Sequence, residues 1–127
     1  MPHTNTWEKN GLLRKFTGKI QPEEILKSNF EIHAHPEFEK IAYIINDFTE
    51  VDDLSVDVSH TKIYAVTDDV ISNTKGKLNI AFIINKDTHV NLVNSYRNQM
   101  ENRLFKCEIF KTIDDARKWL ESLKLRV

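Results

Sequence analysis

Two short segments decide the fold: Lys40-Ile41-Ala42-Tyr43-Ile44-Ile45-Asn46-Asp47-Phe48 and Leu78-Asn79-Ile80-Ala81-Phe82-Ile83-Ile84. Each is an almost unbroken run of apolar residues that gives way to polar ones. This pattern is typical of a strand that is buried on both faces, in the middle of a parallel sheet. We therefore predict that the two segments lie side by side at the centre of a sheet covered by helices.

The segments around these strands have helical patterns. Pro22-Glu23-Glu24 is typical of a helix start, because proline suits the first turn and carboxylates interact favourably with the helix dipole. We predict a first helix over about residues 22–33. A second helix follows, with Asp53 or Ser55 as its N-cap, and ends near residues 73–76. Its inner positions are predicted to be Val58, Ile63, Val66, Val70 and Ile71.

Two further helices and a last strand complete the second half of the chain. We predict the strand over Leu104 to Phe110, a third helix with Asp87 or Thr88 as its cap, and a fourth helix with Thr112 as its cap. The predicted inner residues of the third helix are Leu92, Val93, Tyr96 and Met100. Those of the fourth are Ile113, Ala116, Trp119, Leu120 and Leu123.

The chain opens with a predicted β-hairpin. Residues 5–9 and 12–17 form its strands, Asn10-Gly11 favours a tight type I′ turn between them, and Gly18 ends the second strand. The alternation of helices and strands after it implies parallel strands joined by right-handed crossovers. We therefore predict one α/β domain over residues 1–127, in which a mixed sheet combines an N-terminal hairpin with parallel strands and about four helices.

Composition excludes several classes of protein. The chain has 127 residues, 40% of them hydrophobic, and a formal net charge of −1. No global positive field is therefore available to bind nucleic acid. The longest apolar runs have about five residues, whereas a membrane span needs about 20. No secretory signal is visible at the start, so we expect a cytoplasmic protein. The single cysteine, Cys107, is expected to be a reduced thiol in the core.

Several of these segments together resemble the STAS or SpoIIAA-like family, which has also been likened to lipid-binding SEC14-type domains. The resemblance covers most of the chain. The segments that carry it are the opening hairpin with Gly18, Pro22-Glu23-Glu24-Ile25-Leu26, His35-Pro36-Glu37-Phe38 leading into Ile44-Ile45-Asn46-Asp47-Phe48, Asp53-Leu54-Ser55, and Phe110-Lys111-Thr112-Ile113-Asp114-Asp115-Ala116 with Trp119-Leu120.

The resemblance implies a bacterial, non-catalytic regulatory or protein-interaction module of STAS type. In the bacterial regulators of this family, an Asp-Ser-Ser-Gly-like turn after the middle strand carries a serine that a partner kinase phosphorylates. The corresponding stretch here, residues 47–55, has no glycine and carries several carboxylates. A phosphate on Ser55 would therefore meet like charges. The SEC14-type likeness implies an alternative, a domain that binds a small apolar or amphipathic ligand.

Ligands and partners of such sheets tend to meet the loops at the carboxyl ends of the strands. We therefore predict a binding rim there, formed by Asp47, Thr49, Glu50, Asp52, Asp53, Ser55 and His89. Three interpretations of its carboxylates stay open: helix caps and solvated charges, a docking surface for a basic partner, and a divalent cation site. His33 and His35 have a spacing that would suit two zinc ligands on a strand, but a polar helix end explains them more simply.

No motif forces a catalytic function. The sequence lacks a glycine-rich phosphate loop and a nucleophile elbow, and we expect no enzyme, cofactor or metal. An enzyme that uses Asp47, Asp53 and His89 is the least favoured hypothesis. The expected partner is an unidentified protein or a small ligand. A homodimer is a further alternative, because Trp7 lies on an edge hairpin and residues 97–127 carry eight Lys or Arg against five Asp or Glu.

Overall fold

The structure, a computed structural model, describes residues 3–125 and has five strands and four α-helices within them. The strands are β1 (His3–Trp7), β2 (Gly11–Ile20), β3 (Tyr43–Leu54), β4 (Leu78–Ile83) and β5 (Phe105–Phe110). The helices are α1 (Pro22–Ala34), α2 (Val58–Lys75), α3 (Asp87–Gln99) and α4 (Ile113–Ser122). A short 3-10 helix (Pro36–Lys40) lies between α1 and β3.

The strands form a single mixed sheet in the order β1-β2-β3-β4-β5. β1 pairs with β2 in the antiparallel direction, and every later pair is parallel. β3 lies beside β4, with Ile44 next to Ile80 and Ile45 next to Ala81. The predicted fold class is therefore confirmed, and the two segments from which it was derived are neighbours in the middle of the sheet.

Helices cover both faces of the sheet. Alternate residues of β3 point to opposite faces, because the side-chain period of a strand is two. Ile44 and Phe48 belong to a core that includes residues of α1, α2 and α3, whereas Tyr43 and Ile45 belong to a smaller core with α4. Each of α1, α2 and α3 connects two parallel strands, and right-handed crossovers in one direction put all three on the same face.

The hairpin differs from its prediction at the turn. Trp7 pairs with Leu12, so residues 8–10 connect the two strands, and the Glu8 amide donates a hydrogen bond to the Gly11 carbonyl at 2.7 Å. A two-residue type I′ turn at Asn10-Gly11 is wrong. Gly11 already belongs to β2, and its role is steric: a Cβ atom there would lie 2.2 Å from the buried ring of Tyr43.

β2 and β3 both continue past their predicted ends. Gly18 does not end β2; it has a positive φ of 73° and lies at a register irregularity beyond which the strand continues. β3 runs on to Leu54, because Val51 is fully buried beside Gly18 of β2. The acidic stretch predicted as a loop is therefore mostly strand. α2 is capped by Asp57, which forms a capping box with His60, and not by Asp53 or Ser55.

α2 buries a different side from the one that the sequence predicts. Its buried residues are Thr61, Tyr64, Ala65, Asp68 and Ser72. Four of the five predicted inner residues lie outside instead: Val58, Ile63, Val66 and Val70 are 51%, 48%, 63% and 63% exposed. The reason is that α2 covers a polar region of the core, which its apolar side chains would leave without hydrogen bonds. Ile71 alone is partly buried against the core.

The other helices are closer to prediction. Thr112 caps α4 and accepts a hydrogen bond from the Asp115 amide at 3.1 Å. Ala116 and Leu120 are buried as predicted, but Leu123 is 41% exposed. α3 begins at Asp87 with Lys86 at its N-cap position, so the predicted cap at Asp87 or Thr88 is wrong. The helix buries Val93 and Tyr96, and its C-cap Met100 is also buried.

Two further sequence predictions concern Cys107 and membranes. Cys107 is a free, buried thiol, as predicted. None of the helices described within residues 3–125 is long and apolar enough to cross a membrane.

The contact between Gly11 and Tyr43 can be tested by substitution. We expect Gly11→Ala to lower the free energy of unfolding by about 1–3 kcal/mol, because the new methyl group displaces a fully buried ring. In a Tyr43→Leu background the same substitution should cost less than about 0.5 kcal/mol, since the ring is gone. Urea denaturation of the four proteins measures both values. An equal loss in the two backgrounds would contradict the steric role of Gly11.

Candidate functional site

The predicted rim residues differ in their burial and in the groups around them. Asp47 is buried and accepts hydrogen bonds from the Thr49 amide (2.9 Å) and hydroxyl (2.7 Å). Both residues line a shallow hollow together with Lys111 and Thr112, at the start of α4. They therefore belong to the face that α4 covers.

The carboxylates farther along β3 are more exposed than Asp47. Glu50 forms an ion pair with Lys15, 2.5 Å apart, and this contact raises the pKa of Lys15. Asp52 and Asp53 are exposed, and Asp53 accepts a hydrogen bond from the Ser55 hydroxyl at 3.2 Å. Asp52 and Asp53 are therefore the exposed rim carboxylates that have no ion pair with a basic side chain of the described chain.

His89 comes from the start of α3 and is almost fully buried. Burial lowers its pKa, and the charge of Lys86 adds to this effect, while Asp53 acts in the opposite direction. Its Nδ1 atom has no hydrogen-bond partner in the described part of the chain. Lys86 donates a hydrogen bond to the Val51 carbonyl. The structure thus brings Asp53 into the electrostatic reach of His89 but forms no hydrogen-bonded acid and base pair from them.

The two histidines at the end of α1 do not converge. His35 accepts a hydrogen bond from the Glu37 amide at 3.0 Å, and its ring stacks on Trp7 with the centroids 4.2 Å apart. His33 instead lies 3.5 Å from Asp68. Trp7 is partly buried by packing against the core. Among residues 3–125, no group of three or more His, Cys, Asp or Glu side chains is arranged to hold a metal ion.

A buried polar cluster that the sequence analysis missed lies between the sheet and α1, α2 and α3. At its centre is Arg14 of β2, which is only 6% exposed. Its Nε donates to Asn46 of β3 (2.8 Å), and its Nη1 donates to Ser28 (2.9 Å) and Asn29 (2.8 Å) of α1. One guanidinium group therefore connects two strands and a helix.

A carboxylate from α2 lies in the same region. Asp68 is 7% exposed; one of its oxygens accepts a hydrogen bond from Tyr96 of α3, and the other lies 3.5 Å from Nε2 of His33. Arg14 and Asp68 influence each other electrostatically but form no ion pair within 4 Å in the described chain. The cluster thus places one cation and one carboxylate in the core without direct contact.

Burial changes the pKa values of these groups. It lowers the pKa of Arg14 to about 10 and that of His33 to about 4, where the charge of Arg14 contributes as well. It raises the pKa of Asp68 to about 6, although Tyr96 and Arg14 oppose this change. The pKa of Tyr96 is raised well above its usual value by burial and by Asp68. At neutral pH, Arg14 is therefore charged, and His33 and Tyr96 are neutral.

The cluster borders a cavity of about 70 Å³, which we call the Arg14 pocket. Its polar lining includes Arg14, Asn46 and Asp68, and its apolar lining includes the residues Ile25, Phe48, Leu54, Val56, Ile80, Phe82, Leu92 and Val93. A pocket for a drug-sized or lipid-like molecule has about 300 Å³ or more. The Arg14 pocket is well below that size, so nothing in it favours the alternative of a lipid-binding domain.

The sequence contains a signal for this cluster in the period of β2. Leu12, Arg14 and Phe16 alternate with partly exposed residues, so they point to one face, and Arg14 is charged at an inward position. Asn46 interrupts the apolar run of β3 in the same way. A charged residue and an amide at inward positions of adjacent strands predict a buried hydrogen bond.

The ionisation of Asp68 can be tested through stability. Because its pKa is raised in the folded chain, Asp68 makes the fold less stable as pH rises from about 4 to 6. The lowered pKa of His33 has the opposite effect and makes the fold more stable over the same range. In the Asp68→Asn variant, only the effect of His33 on stability remains. We expect the free energy of unfolding to increase by about 1 kcal/mol more in Asp68→Asn than in the wild type between about pH 5 and pH 7. Urea unfolding at both pH values measures this, and equal changes would contradict the assignment.

Comparisons with known proteins bear on the fold. No family model matches the chain, and no curated protein matches it. Among solved structures, the anti-sigma factor antagonist SpoIIAA in its unphosphorylated form is similar, with a TM-score of 0.59 and 10% identity over 94% of this chain and 97% of that one. An uncharacterized DUF3478-family protein from Shewanella loihica PV-4 has a TM-score of 0.54 and 19% identity over 93% of this chain and 91% of that one. The chain therefore has the SpoIIAA-like fold that its sequence resembles.

Proposed function

We propose that this chain is a non-catalytic, regulatory protein-interaction module of STAS type that acts in the cytoplasm. The fold supports this, because it is shared with an anti-sigma factor antagonist. The chemistry of the core agrees with it. Burial raises the pKa of the Cys107 thiol, so this residue is not an activated nucleophile. The Ser28 hydroxyl accepts a hydrogen bond from the buried Arg14 guanidinium.

The binding surface in this proposal is the predicted rim, and the exposed carboxylates at the end of β3 carry it. Asp52 and Asp53 are followed by Asp57 at the start of α2, and all three are exposed. The 18 positions from 47 to 64 contain a single lysine, Lys62, and no arginine. Asp52, Asp53 and Asp57 form no ion pair with a lysine or arginine of the described chain, so their exposed charges favour a partner with a basic surface.

Exposed apolar side chains continue from the rim along α2. Val58 directly follows Asp57 and is 51% exposed, and Ile63 on the outer side of the same helix is 48% exposed. Large aliphatic groups at such positions add contact area next to the charges. The partner that fits is a protein segment in which lysine or arginine residues alternate with apolar ones.

A phosphorylation switch at Ser55 is not part of this proposal. The Ser55 hydroxyl donates to Asp53, and Asp52 and Asp57 are close in sequence. A phosphate there would meet carboxylates and would not gain an arginine partner from these neighbours. Binding is therefore expected to depend on the permanent charges of the rim.

The proposal predicts capture of a partner that depends on the rim charges. Immobilised wild-type chain and the Asp52→Asn/Asp53→Asn variant are compared in extracts of the source cells, and bound proteins are quantified by mass spectrometry. We expect a protein whose retention falls about tenfold in the variant, because charges at a rim mainly set association rate and salt dependence. The same protein should elute at high salt.

The matched control is Glu101→Gln/Glu121→Gln, which removes the same number of charges from two exposed positions outside the rim. It should retain the partner as the wild type does. The proposal fails if every captured protein binds the wild type and the Asp52→Asn/Asp53→Asn variant equally. A measured catalytic turnover would also overturn it.

A further inference from the structure

The Arg14 pocket contains a buried cation with an unused donor group. Arg14 uses Nε and Nη1 for its hydrogen bonds to Asn46, Ser28 and Asn29. Its Nη2 amino group, which has two N–H donors, makes no hydrogen bond to any of residues 3–125. Nη2 is not among the enclosed unpartnered atoms of the described chain, so its two donors are accessible and can bind a ligand that enters the cavity.

No side chain of the described chain supplies a direct counterion for this cation. Asp68 lies on the same pocket, but its two oxygens already face Tyr96 and His33. A guanidinium group binds carboxylates through a planar pair of N–H donors, a geometry that Nη2 can offer only in part while Nη1 holds α1. A ligand that complements the charge of Arg14 from the cavity is therefore an anion.

The cavity limits the size and polarity of that anion. A volume of about 70 Å³ is roughly five times the ~10–15 Å³ that one water needs, so about five non-hydrogen atoms fit. Apart from the polar cluster, the walls are mainly aliphatic and aromatic, with Phe48, Ile80 and Phe82 among them. Such walls suit an apolar tail and disfavour a phosphate or a dicarboxylate, whose second charge would be buried without a partner.

The partly exposed lining residues locate the entrance. Leu54, Val56 and Leu92 retain some exposure, whereas Arg14, Asn46 and Asp68 are buried. The opening therefore lies between the end of β3 and the first half of α3, and the cation lies at the inner end. A ligand that enters with its charged group first would leave its tail near the opening.

We propose that the Arg14 pocket binds a short-chain monocarboxylate of about propionate size, with the carboxylate on Nη2 of Arg14 and the aliphatic tail between Phe48 and Phe82. This site is independent of the proposed function of the rim.

Binding should depend on pH through Asp68. The titratable or charged groups around this carboxylate are Arg14 of β2, His33 of α1, Tyr96 of α3 and Cys107 of β5. His33, Tyr96 and Cys107 stay neutral near pH 7 because burial disfavours their charged forms. A bound carboxylate repels ionised Asp68, so binding is coupled to uptake of a proton. Affinity should rise up to tenfold per pH unit as pH falls from about 7.5 toward 6.

Titration of the full chain with sodium propionate, followed by amide and arginine Nε–H NMR signals, tests the proposal. Sodium chloride at equal ionic strength is the reference. We expect saturable shifts for Arg14 and for residues near Phe48 and Phe82, with a Kd on the order of millimolar at pH 7. Shifts that are absent, or that chloride reproduces, would overturn the proposal.

Two variants separate pocket binding from surface binding. Val56→Phe fills the opening without removing a polar group and should abolish the saturable shifts, whereas Val66→Phe, on the exposed side of α2, should leave them unchanged. Asp68→Asn removes the repulsion between Asp68 and the bound carboxylate. The affinity of this variant for propionate should therefore be about tenfold higher at pH 7 and should not depend on pH. Saturable binding that persists in Val56→Phe, or a pH dependence that persists in Asp68→Asn, would contradict the proposed site.

Discussion

The hydrogen bonds of the buried Arg14 guanidinium are the constraint on which the rest of the structure depends. Arg14 joins β2 to Asn46 of β3 and to Ser28 and Asn29 of α1, at a position where water is largely excluded. Removing one partner of a buried charged network typically costs about 3–5 kcal/mol, because the remaining charge is left uncompensated. The face of the sheet that α1, α2 and α3 cover must therefore contain polar groups at its centre.

This requirement explains why α2 is turned with its polar side inward. Asp68 and Thr61 face the core, and α3 supplies Tyr96 and Ser95 as their hydrogen-bond partners. Because a helix buries only one side against a sheet, its row of valines then has to lie outside. The exposure of Val66 and Val70 thus follows from the polar groups that α2 buries in the core, and is not a local property of α2.

The same reasoning shows which parts of the fold could be predicted from the sequence. The segments around Tyr43 and Phe82 were predicted correctly as central strands, because a strand buried on both faces has an apolar pattern that few other structures share. The orientation of α2 was predicted wrongly, because apolar residues occur on both sides of this helix and periodicity alone cannot choose between them. Gly11 was taken for a turn residue, since its contact with the Tyr43 ring is visible only in the folded chain.

The candidate sites were predictable to different degrees for a related reason. Rim residues such as Asp53 follow the apolar part of a central strand in the sequence, so their approximate place is fixed by chain order. The differences in burial along the rim are not predicted, because β3 continues along its predicted loop and alternate residues of a strand face opposite sides. The Arg14 pocket draws its polar residues from β2, β3, α1, α2 and α3, which no local pattern connects. The one sequence signal for this pocket is that Arg14 and Asn46 occupy inward positions on their strands.

The rim and the Arg14 pocket share one short segment of chain. Asp53, Ser55 and Asp57 are exposed, whereas the intervening Leu54 and Val56 are half-buried and line the pocket. This alternation is that of an extended backbone, in which neighbouring side chains point to opposite sides. A change of charge at Asp53 therefore alters the outer surface and leaves the pocket lining in place, while a change of volume at Val56 does the reverse. The two surfaces are physically distinct although they lie on consecutive residues, so each proposed function can be tested by a substitution that leaves the other surface in place.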